Sequence, residues 1–373
     1  MTFAFQDWPP FRPDALSRIE KSLRSGILVD GPNTSELERA WAEDTGAPYC
    51  LACSSGTAAL YLALAALGVE GKEVIVPAFT FSGSVFPIIM AGAKPVFADV
   101  DPATYCVTAE TVQRVLSPRT AAVMPVHLHG YPVDLRPIQE ILPPGVHIIE
   151  DACQAAGTTL PDGRRAGRFG LAGAYSLNQT KAFPAGEGGL VVTDDPDFYE
   201  RMRTLRRFGE KWDERSPRTY IVEDRRGGNY RIDELCAAVA LSHLPHLAEV
   251  TELARRNAET LLECLSGLPG LRLPASDPGH SWQKFRVRTA SAAARDRAMA
   301  RMEAAGIPVC RWQVAAMPDH TAFRDPSADV PVARELLEDS FLFFTERWPL
   351  HHQPEGLVEA VGAAIRQAWQ DPT

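Results

Sequence analysis

Short apolar runs alternate with longer patterned segments along the first half of the chain. The apolar runs are brief and rich in β-branched residues, as buried strands are. They occupy residues 49–53, 73–77, 94–100, 121–126 and 146–151. Segments with helical or continuous apolar character lie between them, at residues 56–68, 81–91, 109–116 and 135–142. This alternation predicts an α/β fold with a mostly parallel central sheet that is covered on both faces.

The pattern changes after residue 232. A long helical stretch begins there, and Pro245 predicts a bend or break in it, because proline lacks the N–H that a helix interior needs. The remainder has one strand-like and two helical segments, at residues 284–289, 293–306 and 355–369. We therefore predict a large domain with an N-terminal arm over residues 1–245 and a smaller α/β domain over residues 246–373.

Composition and charge narrow the possible functions. A net charge of -9 over 373 residues argues against a nucleic-acid-binding surface. No apolar stretch is long enough for a membrane helix, and the first residues do not have the pattern of a signal peptide. The CxxC of Cys50 and Cys53 suggests a redox or zinc site, but no second CxxC accompanies it. We expect the seven scattered cysteines to be buried free thiols, and the location to be cytoplasmic.

One lysine stands out by its position. Lys181 lies on a glycine-rich turn, "NQTKAFPAGEGG", between the strand-like runs "AYSL" and "LVVT", and the chain has only six lysines among its 38 basic residues. A lysine in a closed site can attack a carbonyl group as a nucleophile. A surface lysine in a loop is the alternative interpretation, and the position alone does not decide between them.

Three further segments supply complementary chemistry. Asp151 ends the apolar run "IIED", and ligands collect at the carboxyl ends of parallel strands; it can cap a helix or hold a pyridinium nitrogen protonated. The cluster "SSGT" at 54–57 lies where a strand gives way to a helix, a position that suits phosphate binding or simple N-capping. Phe79 and Phe81 follow another strand, where one ring can pack in the core and the other can lie on a planar ligand.

These segments together resemble a known family. The stretches that carry the resemblance are "EVIVPAFTF", "IIEDACQAAG", "GRFGLAGAYSLNQTKAFPAGEGGLVVTDD" and "GGNYRIDELCAAV". They are similar, in content and in order across residues 28–240, to the sugar aminotransferases of the DegT/DnrJ/EryC1/StrS family, which are pyridoxal phosphate enzymes of fold type I. The resemblance implies pyridoxal 5'-phosphate as the cofactor, a homodimer with shared active sites, and no metal.

The resemblance also implies a role for particular residues. Lys181 would hold the cofactor as a Schiff base and act as general acid and base, and Asp151 would partner the pyridinium nitrogen. The other implied cofactor contacts are Gln154 at the phenolic oxygen, Phe81 on the ring, Gly56, Thr57 and Ser176 with the neighbouring Ser55 at the phosphate, and Asn229 at the phosphate of the other subunit's cofactor. The candidate substrate contacts are Arg231, His127, His129 and His351. A metal site at His127 and His129 is not expected, because no further ligand completes it.

The expected reaction moves an amino group from L-glutamate or L-glutamine to a keto sugar or keto cyclitol, in antibiotic or glycan synthesis. Two departures from the usual family motifs, "PVHLHG" and "SLNQTKA", resemble the branch that aminates cyclitol ketones or makes aminohydroxybenzoate. A related sugar dehydratase is an alternative, but those relatives carry histidine where Lys181 stands. A non-catalytic regulatory protein on the same fold is the alternative from another class, and the joint presence of the lysine, aspartate, aromatic and phosphate residues argues against it.

Overall fold

A seven-stranded sheet forms the centre of the molecule. The structure is a computed structural model that describes residues 3–212 and 219–370. The strands are β1 (Tyr49–Cys53), β2 (Glu73–Pro77), β3 (Lys94–Ala98), β4 (Thr120–Val123), β5 (His147–Asp151), β6 (Ala172–Ser176) and β7 (Gly189–Thr193), in the order β1-β7-β6-β5-β4-β2-β3. Only β7 runs against its neighbours. The predicted α/β fold with a mostly parallel sheet is thus confirmed.

Seven α-helices lie in residues 3–212. They are α1 (Pro13–Ser25), α2 (Pro32–Thr45), α3 (Gly56–Leu67), α4 (Ser82–Met90), α5 (Ala109–Gln113), α6 (Arg136–Ile141) and α7 (Pro196–Arg206). Helix α3 is apolar on all sides and almost wholly buried, as a helix at the centre of a protein should be. It begins where the Ser55 hydroxyl accepts the Ala58 N–H at 3.0 Å, and it ends at Gly68, whose φ of 74° favours glycine.

The described residues of the second half of the chain form a smaller sheet and five more α-helices. The antiparallel strands β8 (Glu210–Trp212) and β9 (Tyr220–Val222) precede α8 (Glu234–His243) and α9 (Leu247–Leu265). The elements β10 (Phe285–Arg288), α10 (Ala292–Ala304), β11 (Val309–Cys310), α11 (Pro331–Asp339), β12 (Ser340–Phe343) and α12 (Glu355–Gln370) follow. Strands β10, β12 and β11 form an antiparallel sheet in that order. A 3₁₀ turn over Leu244–His246 separates α8 from α9, so the predicted break at Pro245 is confirmed.

The smaller sheet has a hydrophobic core of its own. Side chains from α9, β10, β12 and α12 fill it, among them Leu261, Phe285 and Phe341. Phe3 and Phe5 pack against the same core, so the first described residues of the chain lie on its last third. A domain division near residue 245 stays a prediction. In residues 3–212 and 219–370, no helix is both long and apolar enough to cross a membrane.

The sheet brings the loop segments that follow its parallel strands to one edge. The parallel strands β1, β2, β5 and β6 all end at this edge, and β7 begins there because it runs in the opposite direction. The segments that follow these strands start at residues 54, 78, 152 and 177. Ligands of open α/β sheets bind at this kind of edge. Cys50 and Cys53, on β1, are buried and free, and burial raises the pKa of the Cys53 thiol to about 12, so that thiol is not reactive.

Candidate active site

A cavity of about 440 Å³ opens at this edge of the sheet. Eight of the residues with a predicted cofactor contact line it: Ser55, Gly56, Thr57, Phe81, Asp151, Gln154, Ser176 and Lys181. They come from separate parts of the chain and meet only because their strands end side by side. The cavity therefore collects a lysine, a carboxylate, an aromatic ring and a group of small polar residues around one space.

Asp151 forms a rigid acidic end of the cavity. Its side chain is buried; Oδ2 accepts a hydrogen bond from the Ser84 hydroxyl at 2.6 Å, and Oδ1 accepts the Cys153 backbone N–H at 3.0 Å. The Ser84 hydroxyl is also 3.0 Å from that of Thr80. A carboxylate fixed in this way can hold a proton on the ring nitrogen of a pyridine cofactor. The sequence reasoning missed Ser84, whose only signal is the "FSGS" that follows β2.

The N-terminus of α3 forms a second, anion-binding end. Gly56 has no room for a side chain, because an added Cβ would lie 2.8 Å from both the Cys153 sulfur and the Ser176 Cβ. The first turn of the helix thus approaches β6 closely, with the hydroxyls of Thr57 and Ser176 lining the same space. Unpaired amides, the positive end of the helix dipole and nearby hydroxyl groups together suit a phosphate.

The backbone around Lys181 is held by side chains from distant parts of the chain. Gln283 donates from Nε2 to the Thr180 carbonyl at 2.9 Å and accepts the Ala182 N–H at 3.2 Å. The indole N–H of Trp8 donates to the Lys181 carbonyl at 3.2 Å. Peptide groups on both sides of the lysine are therefore fixed while its side chain lines the cavity. Gln283 gave no signal in the sequence.

Aromatic and charged side chains complete the wall beyond the lysine. The Phe81 ring is 53% exposed and nearly parallel to that of Trp312, with ring centres 6.0 Å apart. Glu187 and Glu346 also line the cavity. Lys284 pairs with Glu346 at 3.1 Å, and burial lowers the pKa of the Lys284 amine. Trp312, Lys284 and Glu346 come from the last third of the chain, where the sequence reasoning identified only His351.

The predicted substrate contacts lie outside the lining of this cavity. His127 is wholly buried; Nδ1 accepts the Val133 N–H at 3.2 Å and Nε2 is 3.0 Å from a Glu150 oxygen, so both ring nitrogens are occupied. His129 lies directly behind Gln154. His351 is buried against Trp8, with ring centres 4.6 Å apart, and its nitrogens have no partner among the described residues.

Two residues with a predicted role lie in the segment before α8. Asn229 is exposed and bridges to Arg207 in a short antiparallel contact. The Arg231 guanidinium lies 5.4 Å from the centre of the Phe208 ring, and its Nε is 3.9 Å from an Asp30 oxygen. Neither residue lines the cavity of its own chain. Among the described residues, no three His, Cys, Asp or Glu side chains are grouped so that they could hold a metal ion.

The fold and this set of residues define the class of protein. A fixed carboxylate, an aromatic ring, a helix N-terminus with hydroxyl groups and a lysine surround one cavity, and they match the ring nitrogen, ring face, phosphate and aldehyde of pyridoxal 5'-phosphate. The protein is a pyridoxal-phosphate-dependent aminotransferase with the fold type I architecture. It belongs to the DegT/DnrJ/EryC1/StrS aminotransferase family, whose sequence model matches residues 11–343.

Solved structures of similar proteins agree with this assignment. The chain is similar to DesV of S. venezuelae, solved in complex with a ketimine intermediate, at 31% identity and a TM-score of 0.86 over 96% of this chain and 95% of that one. It is similar to the aminotransferase TlmJ of Streptoalloteichus hindustanus at 30% identity and a TM-score of 0.88, over 99% of both chains. It is also similar to 3-amino-5-hydroxybenzoic acid synthase at 28% identity and a TM-score of 0.89, again over 99% of both chains.

Proposed function

We propose that this enzyme transfers an amino group from L-glutamate or L-glutamine to a keto sugar or keto cyclitol. The observation that carries the proposal is the meeting of Lys181, Asp151 and the N-terminus of α3 around one cavity. The donor leaves as its keto acid and the acceptor leaves as its amine, so one amino group is exchanged for one carbonyl oxygen. The two substrates use the same cavity in turn, which gives ping-pong kinetics.

The residues of the chain divide the work of this reaction. Pyridoxal phosphate, when bound, supplies the electron sink that transamination needs. Asp151 keeps a proton on the ring nitrogen, which its two hydrogen bonds to Ser84 and Cys153 position it to do. Lys181 takes the α-proton of the donor at Nζ and later gives a proton to the carbon of the acceptor. Phe81 would hold the ring from one face, and the small residues at the start of α3 would hold the phosphate.

The charges of the outer wall favour a polyhydroxylated acceptor. Glu187 and Glu346 place carboxylates on the cavity, and the Asn178 amide donates to Glu187 at 2.8 Å. Carboxylate oxygens accept hydrogen bonds from the hydroxyl groups of a sugar or cyclitol. This supports a polyhydroxylated ketone, a sugar or a cyclitol, as the acceptor. We place the amination in antibiotic or glycan synthesis. We also place the enzyme in the cytoplasm, because its seven free cysteines fit a reducing compartment.

We propose in addition that two copies of the chain share their active sites. Leu28, Val29 and Phe208 are exposed apolar side chains, and they lie close to Arg231 and Asn229. A partner covering this face would remove their apolar surface from water, which is favourable. Asn229 would then reach the partner's phosphate, and Arg231 would offer its fork to an oxyanion.

The first test follows the visible spectrum of the purified enzyme with pyridoxal phosphate. Separate titration with L-glutamate and L-glutamine is expected to change the spectrum with one of them and so identify the donor. Lys181→Ala should lower turnover roughly 10²- to 10⁴-fold, whereas the exposed Lys94→Ala should leave it unchanged. Wild-type turnover by Lys181→Ala would refute the assigned mechanism.

A second test identifies the acceptor class and the shared site. The reaction should run with neutral keto cyclitols or keto sugars and fail with a cyclic keto acid; the reverse preference would favour an aminohydroxybenzoate-type reaction. Mixing Lys181→Ala chains with Asn229→Ala chains should restore activity, because one of the two sites in a mixed dimer then has both intact residues. No gain over either variant alone would contradict the shared site.

A further inference from the structure

A buried arginine behind the cavity has no role in the reaction described so far. Arg286, on β10, is 1% exposed, and among the described residues none of its hydrogen bonds goes to a carboxylate. Its Nε donates to His129 Nε2 at 3.0 Å, one Nη donates to the Ser340 hydroxyl at 2.8 Å, and its guanidinium lies 5.1 Å from the centre of the Phe79 ring. Burial lowers the pKa of Arg286 to about 10, so it is still a cation at neutral pH.

A second arginine on the same strand shows the usual arrangement. Arg288 is two residues further along β10 and bonds the Asp339 carboxylate at 3.0 Å, with Glu335 as a second partner. Burying a cation without a bonded carboxylate is unfavourable, and some buried ionic groups serve a purpose that offsets this cost. The neighbours of Arg286 indicate what the purpose is.

His129 connects Arg286 to the cavity. Because its Nε2 accepts from Arg286, the neutral ring carries its proton on Nδ1, which is 3.4 Å from Gln154 Oε1. The backbone N–H of His129 donates to the same oxygen at 2.9 Å, and the residue has a left-handed φ of 60°. Burial and the adjacent Arg286 lower the pKa of His129 well below its ordinary value, which keeps the ring neutral.

The two donors on Oε1 fix the orientation of the Gln154 amide. A backbone N–H can only donate, so the atom that faces His129 must be the oxygen. The NH₂ group is then left for the cavity, which Gln154 lines. A hydrogen bond is strengthened when its donor is itself polarised by another, so the cation at the far end makes the amide a better donor.

We propose that Arg286 and His129 are positioning residues that turn the Gln154 NH₂ toward the cavity and polarise it as the donor to the phenolic oxygen of bound pyridoxal phosphate. This relay rests on the proposed contact between Gln154 and that oxygen. The relay would favour negative charge on the phenolic oxygen, so that the bound cofactor would lose its proton at a lower pH than it would without the relay. Other titratable groups near the relay are Lys284 and His280 beside His129, and Tyr105, Cys310 and Asp339 beside Arg286.

The test measures the pH at which the visible spectrum of the bound cofactor changes. Gln154→Leu removes the donor and should raise this apparent pKa by about one unit, a tenfold change in the proton equilibrium. Arg286→Met removes the cation but fills the same space, and it should raise the value in the same direction by a smaller amount. His129→Asn, which tolerates the left-handed backbone, should do the same and guards against a folding failure of Arg286→Met.

The matched control is Arg288→Met, on the same face of the same strand. It should lower thermal stability, because Asp339 is left buried without its partner, and leave the spectral pKa unchanged. The double variant Arg286→Met/Gln154→Leu should show the same pKa as Gln154→Leu alone, because the arginine acts through the glutamine.

Three outcomes would overturn parts of the proposal in distinguishable ways. If Gln154→Leu does not shift the spectral pKa, the proposed contact between Gln154 and the cofactor is wrong. If Gln154→Leu shifts the spectral pKa but Arg286→Met and His129→Asn do not, the contact is supported and the relay is wrong. If the spectral pKa of the double variant is higher than that of Gln154→Leu alone, the cation acts through space and not through Gln154.

Discussion

Replacing Glu150 by glutamine is expected to destabilise the protein more than any exposed carboxylate substitution would. Glu150, on β5, is completely buried, and its two oxygens accept the backbone N–H groups of Gly167, Phe169 and Gly170 at 2.8, 2.6 and 2.7 Å. His127 Nε2 is 3.0 Å from the same carboxylate. One side chain therefore holds the loop between β5 and β6 with charge-assisted hydrogen bonds, which are the strong class.

The size of the loss follows from what a glutamine can accept. Its single oxygen can keep two of the three backbone donors, and its NH₂ must face a donor that needs an acceptor. One buried N–H without an acceptor costs about 1–3 kcal/mol, and each retained bond loses roughly 1 kcal/mol when the acceptor is no longer charged. We expect a loss of about 4 kcal/mol in the free energy of unfolding of Glu150→Gln.

Urea unfolding of wild type and variant, followed by circular dichroism at one protein concentration, measures this loss. Glu110→Gln is the control: this carboxylate is exposed and pairs with Arg114 one helical turn away, so its removal should change stability by no more than about 0.5 kcal/mol. A loss below about 1 kcal/mol in Glu150→Gln would refute the reasoning, since the loop would then not depend on the carboxylate.

Three further substitutions test the site and the buried histidines. Ser84→Ala removes the hydroxyl that holds Asp151 and should lower turnover about tenfold, measured as kcat/KM for the donor. Gly56→Ala should weaken pyridoxal phosphate binding by about tenfold or more in a fluorescence titration, whereas Gly356→Ala, where an added Cβ meets nothing, should not. Burial lowers the pKa of His351 to about 3, so the unfolded chain binds its proton first and stability falls as the pH drops below about 6.5. In His351→Phe the difference in unfolding free energy between pH 8 and pH 5 should shrink by about 2 kcal/mol.

The main sheet could be predicted because each strand is a short apolar run between clear turn signals. The grouping of Lys181, Asp151 and the residues of 54–57 could also be predicted, because parallel strands end at one edge. The opposite direction of β7 could not, since a buried run has the same composition whichever way it points. The short strands β8, β9, β11 and β12 were missed as well, because a few residues carry too little pattern.

The outer wall of the cavity could not be predicted from local pattern at all. Trp312 and Glu346 reach it only through the folding of the smaller sheet, and each looks like an ordinary surface residue in the sequence. The histidines show the converse. The motif "PVHLHG" places His127 and His129 near the site, but the directions of their rings are decided by Glu150 and Arg286. Sequence spacing has no access to those partners.

Glu150 and Asp151 show how one strand serves both stability and chemistry. Successive side chains of a strand point to opposite faces, so two adjacent carboxylates on β5 have different surroundings. Glu150 accepts hydrogen bonds from three backbone N–H groups and does not line the cavity, whereas Asp151 accepts one from Ser84 and lines it. The two variants should therefore differ in their main effect: Glu150→Gln lowers stability more than Ser84→Ala does, and Ser84→Ala lowers turnover more than Glu150→Gln does. If both variants lost the same property, the division of roles between the faces of β5 would be wrong.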